Sequence, residues 1–238
     1  MCTITFIPRS DQDFILTSNR DEAPGRNTFP PRVYEEEGVE LLYPKDAVAG
    51  GTWIGASERK RVVCLMNGGF VAHKRKEFYG KSRGVVVKDF LKTEDLKLLL
   101  KDYDFSEIEP FTAIIIEWEK KLNLFSVVWD GEKLHESEEP LLPQIWSSSP
   151  LYPNDLKSKR ETWFSEFLDS NPDTSANDML SFHKTAGDGD LNSDLIIDRG
   201  FVRTKSITQI VKDKDGIKMR YEDLETGEIE RVEVRGGR

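Results

Sequence analysis

Cys2-Thr3-Ile4-Thr5-Phe6-Ile7, then Pro8-Arg9-Ser10-Asp11-Gln12-Asp13, then Phe14-Ile15-Leu16-Thr17-Ser18 and Asn19-Arg20-Asp21-Glu22: this stretch decides the fold. Two runs rich in β-branched and aromatic residues flank a cluster of turn formers. That pattern predicts a hairpin of residues 2–7 against 14–18. Antiparallel pairing carries the chain back to its start, so Arg20 and Asp21, just past the second strand, return towards Cys2.

Cys2 follows Met1 directly. Cys is small enough to permit removal of Met1, which would leave one residue holding a thiol and a free α-amine. Their reference pKa values, ~8.5 and ~7.7–8.0, both lie near neutrality. Such a thiol is activated by its own amine, directly or through a water, with no separate His. Arg20 is then placed to hold a thiolate or a substrate carboxylate, and Asp21 to accept a hydrogen bond from the α-ammonium. The residues alone leave a second reading open. Cys2 is then incidental, and residues 19–22 are a solvated turn whose surface ion pair contributes little.

Met1-Cys2 followed by Asn19-Arg20-Asp21-Glu22 resembles the NRDE family, which includes the transport and Golgi organisation 2 proteins. Further matches follow in order: Gly50-Gly51-Thr52-Trp53-Ile54-Gly55, Asn67 at a strand end, and Ser82-Arg83-Gly84 with Asp89-Phe90-Leu91. The likeness covers roughly the first 90 residues well and the remainder loosely. The family is similar to cysteine-type N-terminal-nucleophile (Ntn) hydrolases such as penicillin V acylase and bile salt hydrolase. The resemblance implies an αββα sandwich, with two antiparallel sheets between helical layers. It implies Cys2, Arg20, Asp21 and Asn67 as catalytic residues, Asn67 donating to the oxyanion. It places Asn19, Trp53, Ser148 and Lys205 at the substrate, although Trp53 also reads as core and Asn67-Gly68 as a plain turn.

Two positions depart from the family pattern. Ser148 stands where the family has Asn, and its hydroxyl offers one donor where an amide offers two. Lys205 stands where the family has Arg, which keeps the charge and loses the planar fork. The implied activity is hydrolysis or acyl transfer at a non-peptide C–N bond of a small acyl amide. The alternative is a binding protein on the same scaffold, with haem or an acyl-CoA or lipid ligand and Cys2 as a thiolate ligand or a vestige. The enzymatic reading needs no cofactor.

Composition bounds the rest. The chain has 238 residues, 37% hydrophobic and 32% charged, and one domain over 1–238 is the natural expectation. A net charge of −9 argues against non-specific nucleic-acid or anionic-membrane partners, which need a basic face. Two cysteines, Cys2 and Cys64, make no disulfide framework and fit a reducing cytoplasm. No apolar run approaches the ~20 residues of a membrane span, and no signal peptide is visible. The three His, at 73, 135 and 183, lack metal-ligand spacing. Residues 186–194 resemble a calcium loop in composition but not in spacing.

Along the chain, Pro and Gly make residues 23–31 a loop. Strands are expected at 39–43, 52–56, 61–66, 111–118, 122–129, near 133–135 and at 144–148, with a meander over 201–211, 217–223 and 228–234. Helices are expected from Ser82, over 96–103, over 156–168 and over 176–183. This mixture reads as α+β.

Overall fold

The opening stretch forms the expected hairpin in the computed structural model, which describes the backbone of residues 2–235 and the side chains of 3–235. Strands β1 (Cys2–Pro8) and β2 (Phe14–Glu22) pair antiparallel from Cys2↔Arg20 to Pro8↔Phe14. The second strand does not stop at Ser18. It continues through residues 19–22 because a late strand, Arg203–Asp213, pairs along its other edge from Lys212↔Phe14 to Arg203↔Glu22. Neighbours on both edges explain why β2 is buried from Phe14 to Asp21 and shows no alternation in sequence.

The chain divides into two compact units, each discontinuous in sequence. The first comprises Met1–Arg26, Leu142–Ser147 and Leu151–Arg238. It holds β1, β2, β10 (Gln144–Ser147), β11 (Arg203–Asp213), β12 (Gly216–Asp223) and β13 (Ile229–Arg235) in the sheet order β10-β1-β2-β11-β12-β13. Its helices are α3 (Asn154–Ser170) and α4 (Ala176–Thr185), the latter opened by a reciprocal capping box between Ser175 and Asp178. Phe164 of α3 and Met179 and Phe182 of α4 bury their apolar face with Ile7, Ile15 and Leu195.

The second unit comprises Asn27–Leu141 and Ser148–Pro150. Its sheet runs in sequence order: β3 (Thr28–Glu36), β4 (Val39–Asp46), β5 (Ile54–Ser57), β6 (Arg61–Asn67), β7 (Phe111–Glu117), β8 (Asn123–Trp129) and β9 (Leu134–Glu138). Helices α1 (Arg83–Lys92) and α2 (Leu96–Asp102) accompany it. Val86, Val87, Phe90 and Leu91 of α1 pack with Leu41, Tyr43, Val63 and Leu65 of the sheet.

One expectation fails here. The Pro-rich end of the loop expected over 23–31 is the start of strand β3. Pro30 and Pro31 fall where the β3–β4 register shifts between Phe29 and Arg32, and β3 is an edge strand. A proline there removes no ladder hydrogen bond. Glu37 and Gly38, both at positive φ, then close the β3–β4 hairpin with a tight two-residue turn.

Candidate active site

The register of β1, β2 and β11 builds the site in the first unit. Cys2 lies opposite Arg20, and Thr3 opposite Asn19. On the other edge Asp21 lies opposite Thr204 and Arg20 opposite Ser206, because the register skips Lys205 in a bulge. Without the bulge, Thr204 and Ser206 would share a sheet face. With it, Thr204 joins the face of Asp21 and Ser206 joins that of Arg20. The Cys2 thiol, the expected nucleophile, and Met1 lie outside the described residues.

Asp21 is fully buried. The Tyr152 hydroxyl donates to its Oδ2 at 2.5 Å, and the Thr204 hydroxyl to its Oδ1 at 2.7 Å. Burial raises its pKa above the ordinary carboxylate value, against the opposing pull of these two donors and of the Arg160 charge. Tyr152 is held protonated by its own burial and by the Asp21 charge. Arg160, the largest fully buried side chain, lies with its guanidinium carbon 3.7 Å from the Tyr152 ring centroid. Its Nη1 donates to Thr3 Oγ1 at 2.6 Å, and its Nη2 to the carbonyls of Ser193 at 3.0 Å and Asp194 at 2.5 Å.

Asn19, expected at the substrate, has another task. Its side chain is fully buried, and its Nδ2 donates to the carbonyls of His183 at 3.1 Å and Leu195 at 2.9 Å. That leaves Oδ1 to accept from His183 Nδ1 at 2.8 Å, so His183 Nε2 accepts the Thr5 hydroxyl at 2.8 Å. Burial, helped by Arg160, pushes the His183 pKa down to about 3 and keeps the ring neutral. Asn19 thus pins β2 to α4 and carries no free amide.

Arg20 lies on the opposite face, 4% exposed, with Nη2 3.7 Å from Glu22 Oε2. Burial works against ionisation of Glu22, yet the Ala23 N–H and the charges of Arg20 and Arg26 help hold its pKa below the ordinary value. Ser18, Ser206 and Thr208 share the face of Arg20, and their buried hydroxyls have no hydrogen-bond partner among the described residues. Lys205 is also committed. Its Nζ donates to the Pro24 carbonyl at 2.6 Å and pairs with Glu225. The cation expected at the substrate fastens the bulge through these contacts.

Asn67, Trp53 and Ser148 belong to the second unit. Asn67 ends β6 opposite Phe111, half-buried. Gly68 follows at φ +85°, and its N–H donates to the Pro110 carbonyl at 2.8 Å. Segments 67–69 and 148–150 pack together: Ser149 Oγ donates to the Gly69 carbonyl at 2.6 Å. A Cβ on Gly68 would sit 2.4 Å from Pro150 Cδ. The structure therefore brings the Asn67 and Ser148 segments to one place. Ser148 Oγ is buried without a partner among the described residues, and Trp53 is 7% exposed. Among the described residues no group of three His, Cys, Asp or Glu is placed to hold a metal.

Sequence reasoning missed Tyr152, Arg160, His183 and Thr204. Two carried a signal. Arg160 lies four residues before Phe164, and His183 four after Met179, which puts both on the buried faces of their helices.

A family model for transport and Golgi organisation 2 proteins matches residues 1–186. The chain belongs to this family. Among curated proteins, none matches it. Among solved structures, it is similar to a variant of conjugated bile acid hydrolase from Clostridium perfringens. The TM-score is 0.61 at 10% identity, covering 98% of this chain and 92% of that one. Penicillin V acylase from Agrobacterium tumefaciens gives 0.61 at 12% identity, covering 98% and 86%. A Caenorhabditis elegans orthologue of N-acylethanolamine-hydrolyzing acid amidase gives 0.58 at 12% identity, covering 88% and 92%. At these identities the likeness concerns the fold. The fold is the one the resemblance implied: mixed α+β, two antiparallel sheets with four helices, alike to Ntn hydrolases. Among the described residues, no helix is long and apolar enough to cross a membrane.

Proposed function

We propose that this protein is an Ntn-type cysteine amidohydrolase or acyltransferase that cleaves the C–N bond of a small acyl amide. The supporting observation is the β1–β2–β11 register, which sets the Cys2 backbone opposite Arg20, one residue from a buried carboxylate with two donors. After removal of Met1, the Cys2 α-amine takes the thiol proton and the sulfur attacks the acyl carbon. The C–N bond breaks as the α-ammonium returns a proton to the leaving amine. Water then splits the thioester, or an acceptor amine takes the acyl group. Asp21 holds the α-ammonium, and Arg20 lowers the thiol pKa or binds the substrate. Asn67 receives the oxyanion role from the family resemblance.

The free α-amine is the base, so kcat/KM should rise with pH up to about 8, through the reference amine range. Intact mass of the purified protein should show Met1 absent. Incubation with a panel of amides, including an N-acylethanolamine, penicillin V and a conjugated bile acid, should add one acyl mass to Cys2 and release amine. Cys2→Ala should abolish both. Asn67→Ala should lower kcat by about 10²–10³-fold, as expected for loss of one oxyanion donor. Retained Met1, or no acylation of Cys2 by any amide or activated ester, sinks the reading.

A further inference from the structure

We propose that Tyr152 and Arg160 are positioning residues for Asp21: Tyr152 aims the carboxylate, and Arg160 aims Tyr152. The catalytic consequence rests on the Cys2 reading above, whereas the effect on Asp21 is independent of it. A guanidinium at 0% exposure is costly to bury, and among the described residues Arg160 has no carboxylate within salt-bridge distance. It is satisfied by carbonyls, the Thr3 hydroxyl and the face of the Tyr152 ring. A cation over the ring polarises the phenol and makes its O–H a stronger donor to Asp21. The same guanidinium grips Thr3, the residue after Cys2, by its hydroxyl. One buried charge therefore fixes the start of β1 and, through a phenol, the carboxylate on β2.

Mere structural glue would cost stability when removed and leave the titration of Asp21 unchanged. A positioning pair must change that titration. The described charged groups around Asp21 are Arg20 and Glu22 on its own strand, Arg203 and Lys205 on β11, and Arg160 on α3; the chain's α-amine also favours its ionisation, and His183 on α4 is neutral. A donor to the ionised carboxylate favours ionisation, so its loss raises the midpoint.

The test uses the full chain with Cys2→Ala and ¹³C-carboxyl-labelled Asp, the Asp21 resonance being assigned with Asp21→Asn. Tyr152→Phe should raise the Asp21 midpoint by about one pH unit or more, and Thr204→Val should raise it in parallel. Should Tyr152→Phe fail to fold, Arg160→Lys carries the test: loss of the fork should move the midpoint the same way. In the chain with Cys2 intact, the limb of kcat/KM set by the α-amine should keep its place near pH ~8, and turnover should report the lost positioning. There kcat should fall about tenfold and KM change less than about twofold. An unchanged midpoint in a folded Tyr152→Phe or Arg160→Lys protein overturns the assignment. An altered midpoint without turnover of any amide upholds it and counts against the amidohydrolase reading alone.

Discussion

His183 shows how one buried residue ties the pH dependence of stability to the site. Its ring nitrogens are taken by Asn19 and Thr5, and its pKa falls from 6.5 to about 3 through burial, with Arg160 adding to the effect. In the unfolded chain the ring takes a proton below about pH 6.5, whereas the folded chain refuses it until about pH 3. Its contribution is therefore complete above pH 6.5 and is lost as pH falls towards 3, at up to about 1.4 kcal/mol per pH unit. Asp21 works in the opposite sense, because its raised pKa favours the folded state as acid is added. The His183 slope is thus isolated by comparing variants. His183→Gln should cost about 1–3 kcal/mol at neutral pH, since Thr5 and Asn19 each lose a partner. Its urea-derived stability should then fall less steeply between about pH 6 and 4 than that of the parent chain. Parallel curves for the two proteins would mean that the ring is not kept neutral by the fold.

At the scale of elements, two motif glycines turn out to be a single contact. Gly51 of the Gly-Gly-Thr-Trp stretch and Gly84 of the Ser-Arg-Gly helix start touch backbone to backbone, and the Thr52 N–H donates to the Gly84 carbonyl at 3.2 Å. A Cβ on Gly84 would lie 2.9 Å from Thr52 N and 3.1 Å from Gly51 Cα. Backbone cannot rotate away as a side chain can. Gly84→Ala should therefore cost about 1–3 kcal/mol by pushing α1 off the segment that leads into β5. A urea denaturation midpoint unchanged from the parent would show that α1 yields freely. The motifs were legible in sequence; their meeting was not, because nothing local encodes a contact across 33 residues. The same divide runs through the rest. Hairpins and amphipathic helices carry their periodicity within a short window, so β1, β6 to β8, α3 and α4 were readable to within a few residues. The prolines of β3 read as loop because its edge position, which makes them harmless, is a property of the sheet. The Lys205 bulge has no local signature, so the contacts of this lysine with Pro24 and Glu225 are not legible in the sequence. In the site, the residues of β2 were visible as a motif. The side chains that hold Asp21 and, on β1, Thr3 are Tyr152, Thr204 and Arg160, which lie 131 to 183 positions away from their contacts.

Taken whole, the chain needs its far end to finish its beginning. The family match ends at residue 186, yet β11, β12 and β13 lie beyond it, and β11 pairs along the entire length of β2. Thr204 supplies one of the two described donors to Asp21, and the Leu195 carbonyl accepts from Asn19. A chain cut after Ala186 would leave the outer edge of β2 unpaired from Phe14 to Glu22 and expose one side of a strand that is buried throughout those residues except the last. The expected product is an aggregating chain that lacks the near-ultraviolet circular dichroism of the full protein and is cut by protease within residues 14–22, which are buried in the intact chain apart from a half-buried Glu22. Pairings such as Ser18↔Thr208 also close very long loops, so refolding of the full chain should be slow for its size. A truncated protein that melts cooperatively at the temperature of the full chain would show that the late strands are accessory. The solved structures argue otherwise: their likeness covers 98% of this chain for both the bile acid hydrolase variant and the penicillin acylase, well past residue 186. The late strands belong to the shared scaffold, and the proposed chemistry at Cys2 depends on a carboxylate that one of them helps to hold.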